Sequence, residues 1–257
     1  MKAAYRSNHN RLYCGDALLV LRKLPTGSVD AVIADPPYCS GGTTTVERTT
    51  LSTRRKYISA EAKHTLPDFS GDQRDQRSYI YWCTLWLAEA LRLTRPGGVC
   101  LVFCDWRQFP ATSDALQAAG WRWRGVVVWH KPSARPQRGR FTNATEYVLW
   151  GSRGAMGAGA GQRCLAGLYT AAPPRGVERM HLTQKPLRLL RHLVQIAPVG
   201  STILDPFMGS GTTGVAAVLE GHRFIGVELS SHFAEQAAVR IGAAERDIEV
   251  GQASTAA

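Results

Sequence analysis

Ser201-Thr202-Ile203-Leu204-Asp205-Pro206-Phe207-Met208-Gly209-Ser210-Gly211-Thr212-Thr213-Gly214 reads as a strand, a glycine turn and the start of a helix. Gly209, Gly211 and Gly214 spell G-x-G-x-x-G, and Glu228 stands seventeen residues after Gly211, at the end of the next apolar run. Such a unit belongs to a Rossmann-like α/β sheet. A plain tight βα turn is the alternative, and three glycines with a strand-end acid downstream argue against it. A nicotinamide or flavin site has the same outline, with pyrophosphate on the helix N-terminus and the acid on the ribose. There the first glycine leaves the strand almost at once, whereas here Asp205-Pro206-Phe207-Met208 intervenes. An acid at the strand end receives an ammonium group and repels phosphate. A ligand with an amino-acid end, a ribose and no phosphates fits better, and S-adenosylmethionine has those parts.

The same alternation runs through most of the chain of 257 residues. Apolar, β-branched runs predict seven strands, at Arg11–Cys14, Val29–Ala34, Val99–Cys104, Arg124–Trp129, Glu146–Trp150, Thr202–Asp205 and Arg223–Glu228. Helical periods fall at Ala17–Leu24, Ser78–Thr94, Phe109–Ala119, Pro186–Ala197, Thr212–Glu220 and Ser231–Ala243. The pattern predicts a doubly wound, mostly parallel sheet with helices on both faces. Arg95-Pro96-Gly97-Gly98 closes the long helix and hands over to a strand. No helical period separates 124–129 from 146–150, which predicts an antiparallel pair at one sheet edge. Residues 41–77 are polar and aperiodic, which predicts a mobile loop or cap insertion. At 44% hydrophobic residues the chain fits one domain over 1–257, with 131–180 as a candidate recognition region and 246–257 as a flexible tail.

No apolar run approaches the roughly 18 residues of a membrane span, and Met1 to Asn10 is polar without a signal core. A cytoplasmic protein without membrane contact is expected. Six cysteines, at 14, 39, 83, 100, 104 and 164, include no C-x-x-C pair. They predict reduced, mostly buried thiols and no metal site.

The net charge of +11 is concentrated. Between Arg122 and Arg191 thirteen Lys or Arg face only Glu146 and Glu178, and the rest of the chain balances. An excess confined to one stretch suggests a surface for a polyanion, nucleic acid first; a solvated basic loop is the plainer alternative. Within it, Ser152 to Arg179 is glycine-rich and basic, suited to reaching into a groove.

Asp35-Pro36-Pro37-Tyr38 follows the apolar run Val29 to Ala34 and sits where a strand stops. Two prolines donate no ladder hydrogen bonds and hold the chain extended, presenting an acid, free carbonyls and a ring on a stiff ledge. That ledge suits a planar, amine-bearing ring, although alone it is equally a strand-ending turn.

Together, Asp35-Pro36-Pro37-Tyr38 near the N-terminus and Asp205 through Thr213 near the C-terminus resemble the amino-group DNA methyltransferases, and their order resembles the β class. Tyr13-Cys14-Gly15-Asp16-Ala17-Leu18 resembles that family's early strand-end acid, and His181-Leu182-Thr183-Gln184-Lys185-Pro186 its helix-opening motif. The likeness spans about residues 11 to 240, apart from the two irregular segments. It implies a seven-stranded methyltransferase sheet, S-adenosylmethionine as cofactor, duplex DNA as partner, and methylation of N6 of a flipped adenine. N4 of cytosine is the close alternative; a leading Asp leans toward adenine. A nicotinamide-dependent oxidoreductase is the different class, against which the Asp205–Met208 insert speaks. No Pro-Cys dipeptide is present, which argues against C5-cytosine chemistry.

The resemblance also implies roles. Asp35 and the Pro36 carbonyl accept the amine's hydrogens, Pro37 stiffens the ledge, and Tyr38 stacks on the extruded ring. Asp205 takes the cofactor's ammonium, with Pro206, Phe207, Gly209, Ser210, Gly211 and Thr212 around it. Glu228, with Leu229, takes the ribose hydroxyls; Asp16, with Ala17, takes the adenine amine; Lys185 or Thr183 meets the carboxylate, a helix cap being the other role for Thr183. Lys131, Arg135, Arg138, Arg140, Arg153, Arg163 and Arg175 are the expected DNA contacts. A homodimer and a cognate restriction endonuclease are further expected partners.

Overall fold

Val29-Asp30-Ala31-Val32-Ile33-Ala34 forms strand β3 (Val29–Ala34), and five of its six residues are buried because helices cover both faces of the sheet. The computed structural model describes residues 3–40, 74–134, 136, 138–157, 163–174 and 184–255. Arg135, Arg175, Thr183 and the expected loop up to residue 73 lie outside them. Before β3 come β1 (Tyr5–Arg6) and β2 (Asn10–Cys14); after it come β4 (Thr94–Cys104), β5 (Arg122–His130), β6 (Thr145–Ser152), β7 (Leu168–Thr170), β8 (Thr202–Asp205) and β9 (Arg223–Glu228). The helices are α1 (Ala17–Leu21), α2 (Gln76–Leu93), α3 (Phe109–Ala118), α4 (Leu187–Val194), α5 (Thr212–Leu219) and α6 (Ser231–Thr255).

The described strands make one sheet of order β1-β2-β9-β8-β3-β4-β6-β5-β7. Its middle, β2-β9-β8-β3-β4, is parallel throughout. This corrects the expected count of seven strands to nine among the described residues. The additional strands, β1 and β7, have two and three residues, too short to carry a period. The antiparallel pair at the edge is present as β5 and β6, with β6 also antiparallel to β4. It does not end the sheet, because β7 adds to β5 in parallel.

Three boundaries move for local reasons. Asp75 accepts the amides of Arg77 and Ser78 and so starts α2 at Gln76, inside the expected loop. Arg95-Pro96-Gly97-Gly98 lies within β4 as a bulge, where the register jumps from Val29 opposite Thr94 to Ala31 opposite Val99. A Cβ on Gly98 would stand 2.5 Å from the Asp30 carbonyl oxygen, so this close approach needs glycine. The expected tail after Glu245 instead continues α6 to Thr255. Glu245 anchors that helix, accepting from the Tyr5 hydroxyl at 2.6 Å and Asn10 Nδ2 at 2.7 Å.

Two cores sandwich the sheet. On one face Ala31, Ile33, Leu101, Phe103 and Ile203 pack under α4, α5 and α6. On the other Val32, Ala34, Cys100, Val102 and Leu204 pack under α1, α2 and α3. From β8 the chain passes through α5 to β9 on one side, and from β3 through α2 to β4 on the other. Strand order therefore reverses between the neighbours β8 and β3, and α/β sheets open a ligand crevice at the carboxyl ends of such strands.

Candidate active site

Asp205 is the last residue of β8, and Asp35 follows the end of β3, where Pro36 and Pro37 break the ladder. Both open on one cleft of about 1030 Å³. Asp16 and Ala17 after β2, and Glu228 with Leu229 at the end of β9, line its other side. The structure thus brings together the ledge from Asp35 to Tyr38, the glycine turn and both remaining strand-end acids, from segments up to about 200 residues apart.

On the ledge side the groups form a half-buried polar cluster around the buried Lys185. The Tyr38 hydroxyl donates to Asp35 Oδ1 at 2.9 Å and lies 3.2 Å from Glu146 Oε2. Lys185 Nζ stands 2.7 Å from Asp35 Oδ2 and 3.4 Å from Glu146 Oε2, with only 7% of its side chain exposed. Lys131 Nζ completes the cluster, 3.0 Å from Glu146 Oε1. Burial pushes the Asp35 carboxyl above the usual carboxylate range, against the pull of Lys185. Glu146 is half-buried, and its two ammonium neighbours hold it below the usual range against the opposing effect of burial. Cys39, next in the chain, adopts φ 57°, and Ser40 donates to Asp105 Oδ2 at 2.6 Å, fastening the end of the ledge to the end of β4.

On the other side Asp205 is 2% exposed, and Oδ1 accepts the Phe207 amide at 2.9 Å. No described cation pairs with it. Burial pushes its carboxyl up to about 7, and the charges of Asp35 and Glu228 add to the effect. Glu228 accepts the Gly209 amide at 3.0 Å and the Ser230 amide at 2.8 Å, so it braces the turn as well as facing the cleft. Phe207 lines the cleft and packs on Trp82 and Trp86, with ring centroids 5.3 and 5.1 Å apart.

The glycines divide between two tasks. Gly209 (φ 50°) lines the cleft. Gly211 (φ 82°), expected at the cofactor, instead faces α6, where a Cβ would stand 2.8 Å from the Ala237 Cβ. A Cβ on Gly214 would overlap Ile241 and stand 2.7 Å from the Phe224 ring. Both are small so that α5 can lie close to α6 and β9. Arg240 of α6 holds the turn from behind, donating to the Ser210 hydroxyl at 3.0 Å and the Thr212 hydroxyl at 3.2 Å.

Several expected contacts fall elsewhere. Lys185 is held by two protein carboxylates rather than left for a ligand's carboxylate, because α4 starts directly above Asp35. Asp16 does line the cleft, but its Oδ1 also caps α1 by accepting the Leu19 amide. Among the expected DNA contacts, Lys131 is tied to Glu146, while Arg138 and Arg140 are exposed on the β5–β6 loop at the cleft end of the sheet. Arg153 sits at the opposite end, donating to the carbonyls of Arg92 and Thr94, because β6 runs away from the cleft. Arg163 bonds Gln195 at the far end of α4. The start of the glycine-rich segment stays at that far end as well, with Gly97 donating to the Arg153 carbonyl, whereas Pro173 and Pro174 return to the cleft.

Glu146, Trp82, Trp106 and Arg107 are cleft residues that sequence reasoning does not single out. Glu146 carries the one available signal, being one of only two acids in the basic window. The others belong to segments with no motif, and only the fold brings them here.

The residues present fit an adenosyl amino acid. A deeply buried carboxylate with no described cation beside it suits an ammonium, and a second carboxylate lies across the turn for hydroxyls. A family model described as DNA methylase, for the N6 and N4 amino methyltransferases, matches residues 29–157 and 162–239. The Type II methyltransferase M2.DpnII of Streptococcus pneumoniae is 27% identical over 94% of this chain and 93% of its own length. Among solved structures, the M1.HpyAVI complex with SAM superposes with a TM-score of 0.64 at 24% identity, over 90% of this chain and 98% of that one. The PvuII DNA methyltransferase, cytosine-N4-specific, gives 0.70 at 18% identity, over 93% of this chain and 88% of that one. The match over most of the chain, on the sheet and cleft just described, places this protein in the family of amino-group DNA methyltransferases.

Proposed function

We propose that the protein transfers the methyl group of S-adenosylmethionine to N6 of an adenine flipped out of duplex DNA. The observation that carries this reading is the placing of two strand-end acids, Asp35 and Asp205, in one cleft at the switch point of the sheet. At about 1030 Å³ the cleft has room for a cofactor and a base together. When bound, S-adenosylmethionine supplies an electrophilic methyl group. Asp205 receives the ammonium, Glu228 the ribose hydroxyls and Asp16 the adenine amine; Thr183 remains the candidate for the carboxylate.

An exocyclic amine is a poor nucleophile because its lone pair is delocalised into the ring. The Asp35 carboxylate and the Pro36 carbonyl each accept one N–H and draw the nitrogen toward tetrahedral geometry. Both contacts strengthen as positive charge develops on nitrogen, so they favour the transition state over the ground state. The amine is out of reach inside a duplex, so the base leaves the stack, and the Tyr38 ring replaces part of the stacking it loses.

Incubation with labelled S-adenosylmethionine and mixed-sequence duplex DNA, followed by nucleoside analysis, tests the reading. Label in N6-methyladenine is expected; label in N4-methylcytosine moves the reading to the other base, and no label defeats it. Asp35→Ala is expected to lose at least about 10²–10³ in turnover while cofactor affinity stays near normal. The reading extends to two partners beyond DNA. A second copy would complete a short recognition segment, which sedimentation of the protein checks. A restriction endonuclease sharing the target would be blocked by the methylated product.

A further inference from the structure

The cluster around Asp35 is a chain of alternating charges. Asp35, Lys185, Glu146 and Lys131 follow one another at 2.7, 3.4 and 3.0 Å. Lys131 answers the charge of Glu146 and leaves Lys185 to Asp35. Two carboxylates fix the Lys185 ammonium in direction, and it also sits 5.2 Å from the centres of both the Tyr38 and Phe103 rings. A cation this enclosed is not readily replaced by water. With Lys185 at Oδ2 and the Tyr38 hydroxyl at Oδ1, both oxygens of Asp35 are held in place beside the cleft.

We infer that Lys185 and Glu146 are positioning residues for Asp35: Lys185 keeps the carboxylate ionised, and Glu146 holds Lys185 and Tyr38 where they orient it. The inference rests on reading Asp35 as the acid that grips the amine. Every described charged or titratable group facing Asp35 bears on it: Tyr38 on its own segment, Lys185 just before α4, Glu146 on β6, Lys131 after β5 and Asp205 on β8, with Cys104 of β4 behind Tyr38. Among the described residues only Lys185 is a cation in direct contact with it.

The side-chain carboxyl carbon of Asp35, assigned with Asp35→Asn, is titrated by ¹³C NMR in the free protein, a measurement that needs no DNA. Lys185→Gln is expected to move the midpoint up by roughly 1–3 pH units, and Lys185→Arg to return it most of the way. Glu146→Gln removes a negative neighbour, so the midpoint is expected to stay or fall. Turnover at saturating cofactor supplies the second readout. Lys185→Gln should lose about tenfold for each unit by which the midpoint exceeds the assay pH, and recover in more alkaline buffer. Glu146→Gln should lose turnover at every pH, with KM for the cofactor unchanged. Circular dichroism establishes that each variant is folded; if Lys185→Gln is not, Lys185→Met takes its place. An unmoved Asp35 midpoint in a folded Lys185 variant, or normal turnover in Glu146→Gln, overturns the inference. A wild-type protein that shows the titration shifts but methylates no DNA defeats the functional reading and leaves the role of Lys185 standing.

Discussion

Tyr38 and Asp205 show how far one residue's surroundings set its role. Tyr38 is more than a ring, since its hydroxyl bonds the acid it adjoins. Tyr38→Phe loses that bond and should reduce turnover about 2- to 10-fold. Tyr38→Ala also loses base stacking, worth roughly 1–3 kcal/mol, and should cost at least another fivefold. Single-turnover methylation by the two variants measures the gap, and equal losses would remove the stacking role. Asp205 makes a pH prediction. Burial lifts its carboxyl to about 7, above its unfolded value, so folding carries a charge penalty that is absent at low pH and complete above about 7. An ammonium ligand relieves this penalty. Below about 7 Asp205 must first lose a proton, so affinity falls about tenfold per pH unit. Above about 8 an α-ammonium loses its own proton and affinity falls again. Calorimetry with S-adenosylmethionine at pH 6, 7.5 and 9 should find the tightest binding at 7.5. Asp205→Asn should bind weakly at pH 7.5 with the acidic fall gone.

At the scale of elements, strands β3, β8 and β9 are legible residue for residue, because a strand buried on both faces reads as an unbroken apolar run. β1 and β7 are not legible, since two or three residues carry no pattern, whether the partner is the next strand, as for β1, or lies some 40 residues back, as for β7. The glycine turn is legible as a turn but not in its division of labour. Spacing marks Gly209, Gly211 and Gly214 alike, and only the packing of α6 separates the one at the cleft from the two under the helix. Gly214→Ala is therefore expected to cost about 1–3 kcal/mol in urea unfolding through overpacking against Phe224 and Ile241. The folded fraction should bind cofactor normally. A loss of affinity at unchanged stability would instead put Gly214 at the ligand. The candidate site divides in the same way. Its strand-end acids are legible because chain order places them, whereas Glu146 is not, because its role depends on β6 lying beside β4.

At the scale of the molecule, the basic window does not fold into one surface. β5 and β6 run the full height of the sheet and carry its cations to both ends. Arg124 and Arg153 are bonded at the end away from the cleft. Arg163 and Arg191 are bonded at the far part of α4, to Gln195 and Glu220. Lys131, Arg138 and Arg140 alone among the window's described cations lie on the β5–β6 loop, beside a fully exposed Phe141. Arg74 and Arg107, from outside the window, line the cleft against Trp82 and Trp106. Charge located along a chain thus predicts a polyanion partner without locating the surface that meets it. DNA affinity measured by fluorescence anisotropy against salt concentration can locate that surface, since each phosphate contact adds about 0.9 to the slope of log affinity on log salt. Arg138→Ala with Arg140→Ala should lower that slope by about 1 to 2 and weaken binding to every sequence alike. Arg163→Ala should leave the slope unchanged, and Arg153→Ala should lower the melting temperature instead, since its guanidinium fastens the start of β4. If the Arg163 variant lowers the slope and the loop variants do not, DNA meets the far part of α4 rather than the mouth of the cleft, and the flipped base would need another route to Asp35.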